Sequence, residues 1–450
     1  MKPRKPQFAQ VRRGKPAHAR PSLAQVETTR LVQIVKPIYG GAFLARMEGK
    51  AVFVPLTLPG EQVRIHIRES KRGYDTADPD EIVTPAPERI VPACPHFGAC
   101  GGCHYQHAGY ETQLTFKQAI LRETLERGGV QAPEEIAVIA GDPWRYRNRI
   151  RLAFDSAGNL GYRGRQSHNI ISIRECPIAA PLLLKAANAS AEIMRTLNWE
   201  LGSAEISFFC NVDETELLAS VYTPNPAEGR FVKWAHAVEE RIPALKGAEL
   251  IAQAADGKQV RTAGELGSHG LTYSASGFDY RVDRGAFFQV NRWLVDSLVD
   301  CVTDGHKGKL AWDLFAGVGL FARKLASCFE RVVAVESAAA SEAALEHNLR
   351  GSTGEAVIGE TLPFLRRRRP VEKPDLVVVD PPRTGLGPEI TSLLGEVGAP
   401  ALVYVSCDPA TLARDLRALI GCGYGIQSIT LVDLFPQTFH LETVVQLWRG

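Results

Sequence analysis

The stretch KLAWDLFAGVG, residues 309–319, decides the fold of the C-terminal third of the chain. It begins as a mostly apolar strand, and Gly317 and Gly319 then form a turn that precedes a helix. Apolar runs of the same kind recur in RVVAVES, DLVVVDPP and ALVYVSCDP. Strands without polar alternation are buried on both faces, as in a parallel sheet that helices cover. We therefore expect a doubly wound α/β domain over residues 286–450.

The glycine loop is a candidate cofactor site. Glycines at positions 317 and 319 allow a tight turn and a close approach of the backbone to a ligand. Glu336 ends the next strand, 23 residues after Asp313, where a carboxylate accepts hydrogen bonds from ribose hydroxyls. The G-x-G-x-x-G spacing of NAD-binding loops is absent, so S-adenosylmethionine fits better than NAD. A purely structural turn is the alternative.

Two further motifs follow apolar strands and carry reactive side chains. Asp380-Pro-Pro-Arg-Thr-Gly follows DLVVV, and Ser-Cys407-Asp-Pro follows ALVYV. Ligands of open α/β sheets bind at the carboxyl ends of strands, where both motifs lie. Cys407 is a candidate nucleophile because thiolates are the most nucleophilic side chains near neutral pH; a buried apolar cysteine is the alternative. Glu442, in HLET, opens the last strand and is a candidate general base.

A cysteine cluster lies outside this domain. Cys94, Cys100 and Cys103 occur in CPHFGACGGC, and Cys176 is a distant fourth thiol. Thiolates spaced in this way can bind one metal centre. Zinc and an iron–sulfur cluster both accept four cysteines, and the spacing does not choose between them.

Length and composition limit the class of protein. The 450 residues are 45% hydrophobic and 23% charged, as in globular proteins of about two to four domains. No apolar stretch approaches the roughly 20 residues of a membrane helix, and the basic N-terminus lacks the apolar segment of a secretory signal. We therefore expect a cytoplasmic protein without a membrane partner.

The net charge of +2 hides two basic regions. Residues 1–26 carry seven Lys and Arg residues and no acid, and residues 145–174 carry seven arginines against Asp155 alone. Such clusters are typical of nucleic-acid-binding surfaces, although a solvated tail and a solvated sheet face have the same pattern. The candidate RNA-binding residues are Arg145, Arg147, Arg149, Arg163 and Arg165.

The pattern along the chain predicts four segments. Residues 1–22 read as a disordered basic arm, and residues 23–84 as a small all-β barrel with Gly and Pro turns. Residues 85–285 form a central domain that contains the four-cysteine site. A helix over about residues 110–128, which ends at a Gly-Gly pair, is a candidate to pack on the C-terminal domain of residues 286–450.

In this order the motifs resemble those of the RumA/RlmD-type RNA 5-methyluridine methyltransferases. The resemblance rests on CPHFGACGGC with Cys176-Pro177, YRNRIRL, FFQVN, DLFAGVG, DPPRTG, SCDP and HLET. It implies a multidomain fold: an OB-like, TRAM-type barrel, an α+β central domain that holds an iron–sulfur cluster and RNA, and a Rossmann-like methyltransferase domain. It also implies methylation of C5 of a specific uridine in 23S rRNA, with S-adenosylmethionine as methyl donor.

The resemblance further implies roles for individual residues. Cys407 matches the nucleophile that adds to C6 of uracil, and Glu442 the base that removes the C5 proton. The cysteines at 94, 100, 103 and 176 match the ligands of a [4Fe-4S] cluster, with zinc as the alternative. The positions for the cofactor are Gln289, Phe315, Gly317, Gly319, Glu336, Glu360 and Asp380.

Two other functions stay open at this point. The first is methylation of uridine C5 in tRNA, and the second is a non-catalytic RNA-binding or assembly factor. The barrel and the four cysteines favour 23S rRNA over tRNA by analogy, and the reactive residues argue against a non-catalytic factor. No feature of the sequence indicates an obligate protein partner.

Overall fold

The computed structural model describes residues 29–155, 158–202, 204–253 and 260–450. The predicted basic arm over residues 1–22 lies outside these residues. In chain order the strands are β1 (Arg30–Pro37), β2 (Ala42–Met47), β3 (Lys50–Pro55), β4 (Gln62–Ser70), β5 (Tyr74–Thr84), β6 (Ala137–Ile139), β7 (Arg149–Phe154), β8 (Leu160–Arg163), β9 (Ile170–Ser172), β10 (Glu205–Cys210), β11 (Leu217–Thr223), β12 (Leu245–Gln253), β13 (Val260–Gly267), β14 (Gly270–Ala275), β15 (Phe278–Asp283), β16 (Gly308–Leu314), β17 (Phe329–Glu336), β18 (Gly354–Ile358), β19 (Leu376–Val379), β20 (Ala401–Ser406), β21 (Gly425–Val432) and β22 (Thr443–Trp448). The helices are α1 (Tyr110–Arg127), α2 (Pro181–Thr196), α3 (Glu228–Arg241), α4 (Val295–Thr303), α5 (Leu320–Leu325), α6 (Ala339–Leu349), α7 (Thr361–Arg368), α8 (Gly387–Val397) and α9 (Pro409–Gly421).

The first strands close into a small barrel in the order β1-β2-β3-β5-β4. Its interior follows from alternation along each strand: in β1, Val32 and Ile34 are buried, whereas Leu31 and Gln33 are exposed. Side chains that point to opposite faces at successive positions give one apolar face, which the closed barrel buries.

A second sheet has the order β13-β12-β11-β10-β7-β8-β9, and we call it the central sheet. Helices α2 and α3 cover one of its faces. Ile150 and Leu152 of β7 and Ile206 and Phe208 of β10 point into this core. The intervening residues of the same strands, including Arg149, lie on the face that these helices leave open.

The C-terminal sheet has the order β18-β17-β16-β19-β20-β22-β21-β6, with β18 to β20 parallel and β22 antiparallel to β20. Along β19, Leu376 and Val378 enter one core with α4, α5 and α6. Val377 and Val379 enter the opposite core with α7, α8 and α9. Burial on both faces explains the unbroken apolar runs and confirms the predicted α/β architecture.

The predicted central domain, residues 85–285, is not one unit in space. Leu121 of α1 packs in the same core as Leu416 of α9, and β6 pairs with β21 at the edge of the C-terminal sheet. Tyr280, in the β14–β15 hairpin, packs in the other core of that sheet. These elements have apolar faces that the central sheet does not cover, so they are buried against the C-terminal sheet instead. Among the described helices, none combines the length and apolar character needed to cross a membrane.

Candidate active site and cysteine cavity

Strand pairing brings Cys407 and Glu442 together. β20 ends at Ser406 and β22 begins at Thr443, and these two residues are directly paired across the antiparallel ladder. Cys407 follows the first strand and Glu442 precedes the second, so both leave the sheet beside the same pair. Glu442 is only 5% exposed, and Cys407 is partly buried.

Asp380 lies at the neighbouring strand end, because β19 pairs in parallel with β20. Burial raises the pKa of Asp380 to about 7. Burial and the nearby Asp380 also hold the pKa of Glu442 well above its usual range. Burial raises the pKa of the Cys407 thiol to about 11, and the negative charges of Glu442 and Asp380 contribute to this rise. The site therefore concentrates acidic groups where solvent does not stabilise their charges.

Arg383 is the cation that opposes this accumulation of negative charge. Its charge lowers the pKa values of both Cys407 and Glu442. Arg383 Nη2 lies 3.2 Å from His440 Nδ1. Burial, together with the charge of Arg383, lowers the pKa of His440 to about 3, so the imidazole is neutral near pH 7. Nδ1 is then the acceptor of the arginine N–H, which leaves the proton on Nε2. The sequence placed Arg383 in DPPRTG and His440 in HLET without predicting a role for either.

The predicted cofactor positions surround the glycine loop. Gln289, Phe315, Gly317 and Asp380 line one cleft. Phe315 and Gly317 have φ angles of 67° and 55°, and Gly319 has a φ of 87°. A Cβ at Gly319 would lie 2.9 Å from Leu345 Cδ1, so both the left-handed backbone and the close helix contact require glycine there.

Glu336 holds the glycine loop in place. Its Oε2 accepts a hydrogen bond of 2.7 Å from the N–H of Gly317, and its Oε1 accepts two more from Ser337 and Ala338, at 2.7 and 2.6 Å. Three backbone donors thus fix the carboxylate beside Gly317, which lines the cleft, although Glu336 itself is not among the lining residues. Glu360 is exposed beyond the end of β18 and is not among the residues that line the cleft.

Asp313 binds the start of α5, the helix that follows the glycine loop. It is fully buried, and its Oδ2 accepts a hydrogen bond of 2.8 Å from the N–H of Ala322 in α5. Burial raises its pKa to about 7, and the carboxylates of Asp380 and Glu336 act in the same direction.

The four predicted metal ligands converge. Cys94, Cys100, Cys103 and Cys176 line a single cavity of about 350 Å³. Burial raises the pKa of Cys103 to about 12 and that of Cys176 to about 11. The N–H of Gly102 donates a hydrogen bond of 3.4 Å to Cys100 Sγ. Within the part of the chain that the structure describes, no three or more His, Cys, Asp or Glu side chains are arranged to hold a metal ion.

The cysteine cavity shares a wall with the active site. Arg383, Phe435, Thr438 and His440 line it together with the cysteines. Three of these residues lie in the segment 433–442, between β21 and β22, which also carries Glu442. The sequence did not predict this contact, because it joins elements that are more than two hundred residues apart.

Buried polar contacts hold the segment 433–442 against α1 and the cysteine loop. The N–H groups of His104 and Tyr105 both donate to the carbonyl of Gln437, at 2.8 and 3.0 Å. Gln113 Nε2 donates to Gln437 Oε1 at 2.9 Å, and Gln113 Oε1 accepts from the N–H of Gln437 at 2.9 Å. Lys117 and Asp433 form an ion pair in which both side chains are buried. The base candidate Glu442 is thereby positioned by residues from the first third of the chain.

The predicted RNA-binding arginines do not form one surface. Arg147 lines the cysteine cavity and, with Arg149, a second cavity on the central sheet. Arg163 pairs with Glu205 at 3.3 Å, and Arg165 pairs with Asp78 of the barrel at 3.0 Å. Arg145 is exposed, with a positive φ of 50°. The arginines that are close together in the sequence are therefore separated in the structure. Some line cavities, some form ion pairs, and Arg145 lies in an exposed turn.

Comparison with known proteins identifies the family. Residues 24–79 match the TRAM domain, and residues 373–450 match tRNA (Uracil-5-)-methyltransferase. The chain is 33% identical to the 23S rRNA (uracil(1939)-C(5))-methyltransferase RlmD of Aeromonas hydrophila over 427 residues, 90% of this chain and 93% of that protein. The chain belongs to the RNA (uracil-C5)-methyltransferase family. It is accordingly an S-adenosylmethionine-dependent enzyme that acts on uracil in RNA.

Two further matches extend the comparison, one in sequence and one in fold. A Thermotoga maritima protein described as an uncharacterized RNA methyltransferase is 30% identical over 439 residues, 93% of this chain and 99% of that protein. The structure of Pyrococcus abyssi tRNA (uracil-54, C5)-methyltransferase in complex with S-adenosyl-L-homocysteine aligns with a TM-score of 0.74 at 23% identity, and covers 92% of this chain and 100% of that one. The predictions of a TRAM barrel, a methyltransferase domain and an RNA substrate are confirmed.

Proposed function

We propose that this enzyme methylates C5 of a specific uridine in 23S rRNA through a covalent bond between Cys407 and C6 of the uracil. The pairing of Ser406 with Thr443 supports the covalent mechanism, because it brings Cys407 and Glu442 to the same edge of the sheet, next to the buried Asp380. Similarity to proteins described as 23S rRNA methyltransferases supports the choice of substrate.

The residue types match the chemistry. C5 of uracil is a weak nucleophile until the Cys407 thiolate adds to C6, which forms the C6–S bond and moves the C5=C6 electron pair towards C5 and O4. Bound S-adenosylmethionine supplies an electrophilic methyl group on a sulfonium that leaves as a neutral thioether. C5 takes that methyl group. Glu442 then removes the C5 proton, the electron pair restores C5=C6, and the C6–S bond breaks to return the thiolate.

The buried carboxylates and Arg383 set the protonation of the site. A thiol with a pKa of about 11 is almost entirely protonated at pH 7, so it must lose a proton before it attacks. Arg383 stabilises the resulting thiolate. A glutamate whose pKa is raised by burial is a stronger base than one in water, which suits Glu442 to proton removal at C5. Because both groups lie at the end of a buried sheet, the target uridine must leave its base stack to reach them.

The cofactor is held by the glycine loop in this proposal. Gln289, Phe315, Gly317 and Asp380 line the cleft, and Gly319 shapes the start of α5. Glu336 accepts three backbone hydrogen bonds, which leaves about one of its four lone-pair sites for a ribose hydroxyl. Asp380 lines this cleft and its charge also acts on Cys407, so in this proposal it serves both the cofactor site and the uracil site.

We also propose that Cys94, Cys100, Cys103 and Cys176 hold a [4Fe-4S] cluster. The four thiols line one cavity, and the resemblance to the family favours a [4Fe-4S] cluster over zinc, since both centres accept four cysteines. Iron and sulfide content and visible absorption of protein purified without air test this assignment. A colourless protein with one zinc per chain contradicts it.

The experiment that tests the function maps 5-methyluridine by mass spectrometry in 23S rRNA and tRNA from a strain that lacks the protein. We expect loss at a ribosomal position, restored by the wild-type gene and not by Cys407→Ala, although this variant still binds S-adenosylmethionine. Loss in tRNA alone supports the tRNA alternative. Restoration by Cys407→Ala contradicts the covalent mechanism, and no loss in either RNA supports a non-catalytic factor.

A further inference from the structure

The open face of the central sheet contains a basic cavity of about 310 Å³. β7 and β10 are paired so that Arg149 lies opposite Phe209 and Arg151 opposite Ser207. Ser207 in turn lies opposite Ser220 of β11. These residues share the face that α2 and α3 leave open, and they line the cavity.

Positive charge dominates this basic cavity. Among the described residues, those that line it include Arg147, Arg149, Arg151 and Arg284, and no Asp or Glu. Arg151 is paired with Glu205 at 2.6 Å outside the lining, and Arg284 lies 3.6 Å from Glu265. Neither Arg147 nor Arg149 has an ion pair within the described part of the chain. Two of the four arginines that line the cavity, Arg147 and Arg149, are thus not paired with a carboxylate among the described residues.

The guanidinium groups are held in fixed positions. Arg149 lies over the ring of Phe209, 4.2 Å from its centroid, and its Nη1 donates to the carbonyl of Ala286 at 2.7 Å. Arg284 is nearly buried, with a side chain 3% exposed. The Nε atoms of Arg149 and Arg284 have no hydrogen-bond acceptor in the structure. Buried donors without acceptors are costly, so this cluster holds more donors than the protein satisfies.

We propose that the basic cavity binds a backbone phosphate of the RNA strand that flanks the target uridine, an inference that rests on the proposed function. A phosphodiester supplies negative charge to match these arginines, and guanidinium groups bind phosphate in a two-pronged manner. The hydroxyl of Ser207 adds a donor of the kind that contacts RNA phosphates, whereas the hydroxyl of Ser220 already donates to Glu249 Oε1 at 2.6 Å.

The position of the cavity fits a strand that leads to the nucleophile. Arg147 lines both the basic cavity and the cysteine cavity. Arg383 and His440 line the cysteine cavity in turn, and Arg383 acts on Cys407. The three sites are thus joined by shared side chains. The basic cavity is therefore linked to the Cys407 site through Arg147 and Arg383, which both lie in the wall of the cysteine cavity.

The test compares Arg149→Gln with Ser207→Glu. Arg149→Gln removes a guanidinium group. Ser207→Glu adds a negative charge and keeps every buried arginine. The test therefore does not depend on the folding of a single variant. Binding of a 23S rRNA transcript is measured over a range of salt concentrations. We expect each variant to bind about 10-fold more weakly, with a salt slope lower by about 0.7 to 0.9. The KM for RNA rises, whereas the Kd for S-adenosylmethionine does not change.

Arg241→Gln is the matched control, because Arg241 is an exposed arginine of α3 on the opposite side of the sheet. Folded Arg149→Gln and Ser207→Glu proteins with wild-type affinity and salt slope overturn the proposal. Tight binding of inorganic phosphate to the wild type, without a change of RNA affinity in the variants, overturns it as well. Methylation of the same transcript by the wild-type enzyme reports separately on the proposed function.

Discussion

The hydroxyl of Tyr39 lies 3.5 Å from the backbone carbonyl oxygen of Cys407, although the two residues are 368 positions apart. Tyr39 belongs to the β1–β2 turn of the TRAM barrel, and its ring meets Phe439 edge-on with centroids 5.5 Å apart. Phe439 in turn packs against His440, with centroids 4.3 Å apart. The barrel therefore contacts both the loop that carries Cys407 and the segment 433–442 that carries Glu442.

Replacement of Tyr39 distinguishes the hydrogen bond from the packing. Tyr39→Phe removes only a long hydrogen bond, so we expect kcat to fall by less than about 5-fold. Tyr39→Ala also removes the ring beside Phe439, and we expect a larger loss. Methylation kinetics at saturating RNA measure both, with the Kd for S-adenosylmethionine as the control. Equal losses in the two variants contradict a role for the ring.

Arg383 controls the pH dependence of Cys407. The pKa of this thiol, about 11, lies above neutral pH, so the reactive thiolate increases roughly tenfold per pH unit as the pH rises towards it. Arg383→Gln removes the charge that lowers this pKa, and we expect the rise of the single-turnover rate to move to higher pH. Arg383→Lys keeps the charge and shifts the profile less.

The control for the pH profile is Arg366→Gln, since Arg366 is an exposed arginine of α7 and does not line the cysteine cavity. Its profile is expected to match the wild type. If the Arg383→Gln profile also superimposes on the wild type, the Arg383 charge does not act on the attacking thiol.

Glu442→Gln separates the two halves of the reaction. The variant keeps Cys407 and the methyl-donor cleft, so addition and methyl transfer proceed while removal of the C5 proton does not. We expect a covalent protein–RNA adduct that survives denaturing electrophoresis, and turnover lower by about 10²- to 10⁴-fold. The double variant Cys407→Ala/Glu442→Gln is the control and forms no adduct. A Glu442→Gln enzyme with normal turnover assigns the proton to another base.

The Lys117–Asp433 ion pair anchors the segment that carries Glu442. The two side chains are 0% and 1% exposed, and Asp433 also accepts a hydrogen bond of 2.8 Å from the hydroxyl of Tyr110. Lys117→Met leaves the carboxylate buried without its cation, so we expect the free energy of unfolding to fall by about 3–5 kcal/mol in urea denaturation. Lys117→Met/Asp433→Leu removes both charges and is expected to recover part of this loss. Wild-type stability of Lys117→Met contradicts the anchoring role.

The active-site edge was predictable because it depends on local order along the chain. Parallel strands end at one edge of a sheet, so the strand ends at Asp380 and Cys407 meet wherever the neighbouring strands pair. The arginines of residues 145–174 were less predictable. Alternation along β7 puts Arg149 on one face, but whether an arginine meets a carboxylate depends on which strand or domain lies opposite. Arg165 meets Asp78 of the barrel, whereas Arg149 meets none within the described residues.

The glycine loop, the apolar strands of the C-terminal domain, the cysteine set and the strand-end positions of Cys407 and Glu442 could be predicted from the sequence alone. Backbone torsions and hydrophobic periodicity depend on residues that are close together in the chain, so the amino-acid sequence is enough to recognise them. The tertiary structure was needed to show that Arg383 and His440 lie between the active site and the cysteine cavity, and that Tyr39 contacts Cys407. These contacts join segments from different domains. Which side chains are buried there, and which charges face each other, depends on how the domains pack, and short sequence patterns do not predict that packing.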